Sequence, residues 1–269
     1  MVSVDAQDLA CLDGRTMPAA EAAIPATDDG FIRGDGVFEV VRVYDGKPFA
    51  LREHLNRMEY SAGNLRLGYD VPRAELEQET AALLAERGGA AFDGQLRMVL
   101  TRGGHRLLMT EPLPAGAAQP RLCFVTYAPT RLLDGVKSLS YAANMLASRV
   151  ARERGFDEAL LTTPHGRVLE APTSSIFWVS PAGELLTPPL EDHILASITR
   201  QRVMALTGAA ERVCTAEDLL DAREAFLAST TREVQAVGAI EGHELGEPGE
   251  RTRQAADLLR EDIRASLAG

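Results

Sequence analysis

The chain has 269 residues, 45% of them apolar and 25% charged, and a formal charge of −11. That is enough sequence for a substantial core, in one large domain or two lobes, and the acidic balance, with no basic run, argues against nucleic acid as a partner. No apolar run is long enough to span a membrane, residues 1–13 lack the basic-then-apolar order of a secretory leader, and neither the three cysteines nor the five histidines have metal-ligand spacing, so a reducing, cytoplasmic setting without a metal is expected.

Residues 1–24 read as a strand, a turn at Asp13-Gly14 and a second strand. Gly30, Gly34 and Gly36 fall within seven positions and imply positive-φ turns or close backbone approach. From Val37 the pattern becomes a strand that turns at Asp45-Gly46. A helix is predicted over residues 52–65, with Leu55, Met58, Leu65 and Tyr60 inward. His54 and Arg57, three apart, share a face of it that on pattern alone reads more readily as solvated. A second amphipathic helix covers 73–87, and strands are predicted at 95–101 and 121–127. The Gly- and Pro-rich stretch between those strands reads as a loop, 102–120. In it Arg102, His105 and Arg106 offer a grip for a carboxylate, or else a solvated tip. Ala128-Pro129-Thr130-Arg131 is the best linker and divides the chain into lobes 1–130 and 131–269.

Lys137 stands out next. Of 28 basic residues only Lys47 and Lys137 are lysines. A lysine amine can become a nucleophile and form a Schiff base, which a permanently protonated guanidinium cannot. Lys47 lies in the turn Asp45-Gly46-Lys47-Pro48 and is expected to be solvated. Lys137 follows an apolar residue and precedes a helical pattern through Tyr141, Met145, Leu146 and Val150, with Ser138 or Ser140 available as a cap. It reads as a half-buried amine at an element junction, against the alternative of a snorkelling surface lysine.

Strands are then expected at 158–162, 167–170, 176–179 and 185–186. The run Glu170-Ala171-Pro172-Thr173-Ser174-Ser175 breaks the pattern with small hydroxyl residues. A helix opens at Ile194 and runs to Leu206, with Ser197 or Thr199 near a first turn suited to an anion. A strand at 225–237 contains Ser229-Thr230-Thr231, and an amphipathic helix at 251–267 closes the chain.

One poised lysine, a carboxylate on a broken strand (Glu170), a helix N-terminus and hydroxyls at Thr199 and Thr230 are equipment for pyridoxal phosphate chemistry. From about Ile24 onward the chain resembles the fold-type IV pyridoxal-phosphate enzymes: D-amino-acid and branched-chain aminotransferases, (R)-amine transaminases and 4-amino-4-deoxychorismate lyase. The resemblance is carried by Gly34-Asp35-Gly36-Val37-Phe38-Glu39, Glu53-His54-Leu55-Asn56-Arg57, Lys137-Ser138-Leu139-Ser140-Tyr141, Val168-Leu169-Glu170 and Ile194-Leu195-Ala196-Ser197-Ile198-Thr199-Arg200, in that order.

It implies a mixed α/β (α+β) fold with an N-terminal α/β sandwich-like lobe and a C-terminal strand-rich pseudo-barrel lobe. It also implies a homodimer, with pockets at the subunit boundary, acting on amino acids and 2-keto acids. By resemblance Lys137 forms the Schiff base and shuttles the proton, and Glu170 pairs with the ring nitrogen. Arg57, Ser174, Ile198, Thr199 and Thr230 join them in holding the cofactor. Phe31, Arg33 and Tyr141 look like pocket-wall residues, and Glu39 stands where the transaminases usually have glutamate. Arg33, Arg102, His105 and Arg106 offer ways to hold the substrate carboxylate, although none matches the family's D-specific carboxylate trap residue for residue.

Two departures stand out. Ala171-Pro172 follow Glu170 where the family has glycine. Only five residues separate Arg131 from Lys137 where relatives place a further strand, so either the second lobe lacks that strand or a stretch is omitted. The Ser-Leu-Ser-Tyr run after Lys137 favours transamination of a small D-amino acid, with 4-amino-4-deoxychorismate lyase and then branched-chain transamination as alternatives.

Overall fold

The computed structural model describes residues 7–68 and 70–268. The backbone forms two compact units: Met1–Pro114 with Val136–Tyr141, and Ala115–Gly135 with Ala142–Gly269.

The first unit is a six-stranded sheet carrying one short and two long α-helices among the described residues. Its strands are β1 (Leu9–Leu12), β2 (Arg15–Pro18), β3 (Gly36–Tyr44), β4 (Lys47–Pro48), β5 (Gly94–Thr101) and β6 (Arg106–Glu111), in the order β2-β1-β6-β5-β3-β4. Consecutive positive φ at Asp13-Gly14 and Asp45-Gly46 gives the tight hairpin turns that both sequences advertise. Short helix α1 (Asp29–Arg33) precedes β3, and α2 (Leu51–Asn64) and α3 (Arg73–Arg87) follow it. Strand alternation turns Val37, Val41 and Val43 to one face, where they join Leu55 and Met58 of α2, Leu76 and Leu83 of α3, and Leu96 and Met98 of β5. Each such side chain contributes roughly 1.5–3 kcal/mol on leaving water. His54 lies in this interior, whereas Tyr60, expected inward, is exposed.

The predicted loop 102–120 is shorter than expected. Gly104 takes φ 88°, the chain reverses, and β6 pairs antiparallel with β5 from Leu100–Arg106 to Gln95–Glu111.

The second unit has two sheets. One joins β7 (Arg121–Thr126), β8 (Glu158–Thr162), β9 (Arg167–Val168), β13 (Cys214–Thr215), β16 (Ala239–Ile240) and β17 (His243–Glu244), in the order β13-β9-β8-β7-β16-β17. The other joins β10 (Ser175–Val179), β11 (Leu185–Thr187), β12 (Ala210–Glu211), β14 (Glu224–Ser229) and β15 (Glu233–Ala236), in the order β12-β11-β10-β14-β15. Leu122, Leu160, Ile176, Trp178 and Leu227 share its main core. Helix α4 (Ala142–Glu153) seats Ala147 and Ala151 with Ala159 and Leu161 of β8. Helix α5 (Ile198–Thr207) packs on β14, α6 (Ala216–Leu220) carries a Thr215–Asp218 capping box, and α7 (Glu250–Ala268) packs on α5, β14 and β15. The single strand expected at 225–237 is a hairpin, because Thr230 to Arg232 turn the chain and Glu233 takes φ 56°.

The break at Pro129 is not where the units divide. The chain leaves the first unit after Pro114, yet Val136–Tyr141 return to it. They do so by backbone pairing: Phe38 N–H donates to Lys137 O at 3.0 Å, Leu139 N–H donates to Gly36 O at 2.8 Å, and Ser138 bridges Val37. Lys137 is thereby fixed on the edge of β3. Among the described residues the chain runs unbroken from β7 to Lys137 through one 3-10 turn, Arg131–Leu133, with no additional strand.

Candidate active site

In the first unit, β3 presents two faces to two sets of functional groups. Phe38 lies on the face opposite Val37. The Lys137 amine sits 4.2 Å from the centre of the Phe38 ring and 5.8 Å from that of Tyr141, and the two rings meet edge to face at 5.3 Å. Lys137 is half-buried, and its own N–H donates to Ser61 Oγ at 3.2 Å. Ser138 Oγ accepts from Ser140 N–H, and Ser140 Oγ donates to Gly34 O, so both hydroxyls brace the lysine segment.

The glycines of the Gly-Asp-Gly motif explain how this segment gets so close. A Cβ on Gly36 would stand 2.4 Å from Leu100 O and 2.6 Å from Leu139 Cδ1, and Gly34, at φ 70°, would carry one 3.1 Å from Ser140 Oγ. The motif is a seat for residues 138–140 as much as a turn.

The other face of β3 carries Glu39, 0% exposed among Val37, Val41 and α2. Arg57 Nε donates to its Oε1 at 2.6 Å and Arg57 Nη2 to its Oε2 at 2.7 Å, while His54 Nδ1 stands 2.7 Å from Oε2. Burial alone would raise the Glu39 pKa; the charge and bonds of Arg57, with His54, outweigh it and hold the carboxyl at about 2. A carboxylate only accepts, so His54 Nδ1 carries the proton. Burial lowers the His54 pKa despite Glu39, so the imidazole is neutral. The face of α2 bearing His54 and Arg57 is thus a buried ion pair and not a solvated stripe. Glu39, read from sequence as a substrate residue, is committed to Arg57 and His54.

The remaining first-unit candidates have acidic or carbonyl partners. Arg102 binds Asp35 at 2.9 and 3.1 Å and donates to Leu65 O and Arg66 O. His105 Nδ1 meets Asp13 at 2.8 Å, and Arg106 binds Glu75 and Glu79 at 2.6 Å. Arg33 pairs with Asp29 on α1, and Phe31 beside it is 74% exposed.

In the second unit, Glu170 follows β9. Its Oε1 accepts from Leu195 N–H at 3.1 Å, which ties it to the entry of α5, and its charge, after burial, helps raise the pKa of Tyr127. Asn144 Nδ2 donates to Pro172 O at 3.1 Å, and Ala171 and Ser174 close a tight turn. The hydroxyls of Ser174 and Ser175 are buried with no hydrogen-bond partner. Ser197 caps α5 by accepting from Arg200 N–H, so Ile198 and Thr199 occupy the first turn, where the helix supplies their N–H groups no acceptor. Thr230 lies half-buried in the β14–β15 turn. Phe38, His54, Tyr127 and Asn144 were not singled out from sequence as site residues; Phe38 was detectable as the out-of-phase neighbour of two core-facing residues.

The amino-transferase class IV family matches residues 36–240, which include Lys137, Glu170 and the first turn of α5. The chain belongs to the class IV aminotransferases. It is 32% identical to a putative branched-chain-amino-acid aminotransferase of Methanocaldococcus jannaschii, over 94% of this chain and 95% of that one. It is likewise 32% identical to a D-alanine aminotransferase of Bacillus licheniformis, over 95% and 97%. Among solved structures, a hypothetical aminotransferase from Mycobacterium tuberculosis bound to alpha-ketoglutarate and PMP superposes with a TM-score of 0.85 at 25% identity, covering 96% of this chain and 99% of that one. The class IV aminotransferase has the mixed α/β fold of these neighbours. Among its described residues no helix is long and apolar enough to cross a membrane.

Proposed function

We propose that this class IV aminotransferase uses pyridoxal phosphate to move an amino group between a small D-amino acid and a 2-keto acid. The observation that carries the assignment is the contrast between the two lysines. Lys47 is exposed on a hairpin, whereas Lys137 has its amine against Phe38 and Tyr141 on a braced strand edge. Each unit carries residue types suited to the cofactor. Lys137 Nζ would hold it covalently, Glu170 would face its ring nitrogen, and Arg57, Ile198 N–H, Thr199 and Thr230 would take its phosphate. The buried, unpartnered hydroxyl of Ser174 is the kind of atom a bound group would satisfy.

When bound, the cofactor supplies the electron sink for the substrate Cα. The protein's part is proton handling and orientation. Lys137 takes the Cα proton and returns it, as an amine held half-buried on the segment paired to the edge of β3. Glu170, anchored by Leu195 N–H, supplies the negative charge that keeps a ring nitrogen protonated. Tyr141 and Phe38 wall the space beside the amine. Arg33, Arg102, His105 and Arg106 would each have to exchange an acidic partner for a substrate carboxylate.

The Ser138-Leu139-Ser140-Tyr141 run supports a D-amino acid. The lyase reaction on 4-amino-4-deoxychorismate and branched-chain L-transamination begin with the same proton removal, so they stand as alternatives. The buried thiols of Cys11, Cys123 and Cys214, with pKa values raised by burial, fit a reducing cytoplasm, and a homodimer is the assembly to look for. The test is incubation with D-alanine and 2-oxoglutarate, with L-leucine and 2-oxoglutarate, and with 4-amino-4-deoxychorismate. Pyruvate and glutamate from the first supports the reading; turnover confined to either of the others replaces it.

A further inference from the structure

We propose that Glu39 is a positioning residue for the cofactor's phosphate: buried under β3, it fixes the plane of the Arg57 guanidinium and, with His54, locks that plane in place. This rests on the reading of Arg57 as a phosphate clamp.

Val37 and Val41, two residues to either side of Glu39, point the same way and are fully buried. Burial alone would be served there by another valine. A carboxylate taken from water costs several kcal/mol unless its oxygens are fully engaged. Glu39 meets that condition with three donors, two from Arg57 and one from His54.

The geometry of the grip says what it does. Glu39 takes the Nε–Nη2 edge of the guanidinium side-on. The guanidinium is planar, so holding one edge at two points fixes the direction of its Nη1–Nη2 edge. The pair is also close to neutral as a unit. Arg57 would therefore hold an anion through aimed N–H donors more than through net charge, which makes its orientation matter. His54, neutral and 1% exposed, fills the second lone pair of Oε2 without adding charge, and α2 spaces it one turn from Arg57.

A residue that only stabilised the fold would, on removal, weaken every ligand alike. A residue that aims Arg57 would weaken only ligands carrying the phosphate. The experiment strips the full-length enzyme of cofactor and titrates it with pyridoxal phosphate and with pyridoxal, which lacks the phosphate, following the absorbance of the lysine-bound chromophore. In Glu39→Gln the preference for pyridoxal phosphate over pyridoxal falls about tenfold to a hundredfold, the loss expected for a charge-assisted hydrogen-bond pair, while pyridoxal binds as before. Glu39→Asp, which keeps the charge one methylene back, recovers part of it and replaces Glu39→Gln if that variant does not fold. An undiminished preference in these variants, or equal weakening of both ligands, overturns the proposal. Arg57→Ala separates the two claims. If it also keeps the preference, the phosphate assignment of Arg57 falls. If it loses the preference while the Glu39 variants keep it, only the role of Glu39 falls.

Discussion

Phe38 and Lys137 are joined twice: the Phe38 N–H donates to the Lys137 carbonyl at 3.0 Å, and the Lys137 amine lies 4.2 Å from the centre of the Phe38 ring. The backbone bond sets where the lysine leaves the strand edge, and the ring sets where its amine ends. Phe38→Leu keeps the strand and most of the apolar volume but removes the π face. A loss of about 0.5–1 kcal/mol in stability is expected from the missing cation–π contact. The single-turnover rate falls as the amine loses its rest. Stopped-flow absorbance and thermal unfolding check the two effects, and an unchanged turnover rate would free the amine from dependence on Phe38.

Gly36→Ala forces a Cβ toward Leu100 O and Leu139 Cδ1. The strain has to be relieved by moving β5 or the lysine segment. The expected cost is about 1–3 kcal/mol, the usual range for overpacking, together with weaker attachment of the cofactor. Denaturant unfolding and a cofactor titration measure both. Stability loss with normal attachment would mean that β5 yields and residues 138–140 stay in place.

Arg102 has its donors on Asp35 and on the carbonyls of Leu65 and Arg66. Arg102→Ala is therefore expected to lower the unfolding temperature while leaving the apparent KM for the amino donor within about threefold, well under the tenfold that 1.4 kcal/mol represents. A much larger rise in KM with unchanged stability would return Arg102 to the substrate.

The depressed pKa of Glu39 carries a pH signature. Its carboxyl sits at about 2 in the folded chain against 4.5 as a reference, so the folded state binds the proton less readily than the unfolded one. The stabilisation is complete above pH 4.5 and is lost as pH falls toward 2, with a ceiling on the order of 3 kcal/mol from about 1.4 kcal/mol per unit. Urea unfolding across that range is expected to show a steeper acid loss in the native chain than in Glu39→Gln. Parallel curves would remove Glu39 from the acid response.

Part of the candidate site could be proposed from sequence because its signals are local. Lys137 announced itself by the scarcity of lysine, whereas the helix expected from Ile194 begins four residues later, at Ile198, where Ser197 caps it. Local spacing placed the two tight hairpins and both long helices of the first unit. The rest depends on partners far away in the chain. Glu39 meets His54 and Arg57 across fifteen and eighteen positions, and Arg102 and His105 meet Asp35 and Asp13 across 67 and 92. No period encodes such pairings, so an engaged arginine and an available one look alike in sequence. The return of Val136–Tyr141 to β3 was hidden for a different reason. It is made by backbone groups, which every residue has, and only the glycines opposite hint at it. β6 was obscured by the glycines and prolines that flank it.

Lys137, and not Lys47, is expected to carry the cofactor. The direct measurement is borohydride reduction of the enzyme loaded with pyridoxal phosphate, followed by proteolysis and mass mapping of both lysine peptides. The phosphopyridoxyl mass is predicted on the peptide containing Lys137, with the Lys47 peptide unmodified. Modification of Lys47 with Lys137 intact, or of neither lysine, would rule Lys137 out as the attachment point.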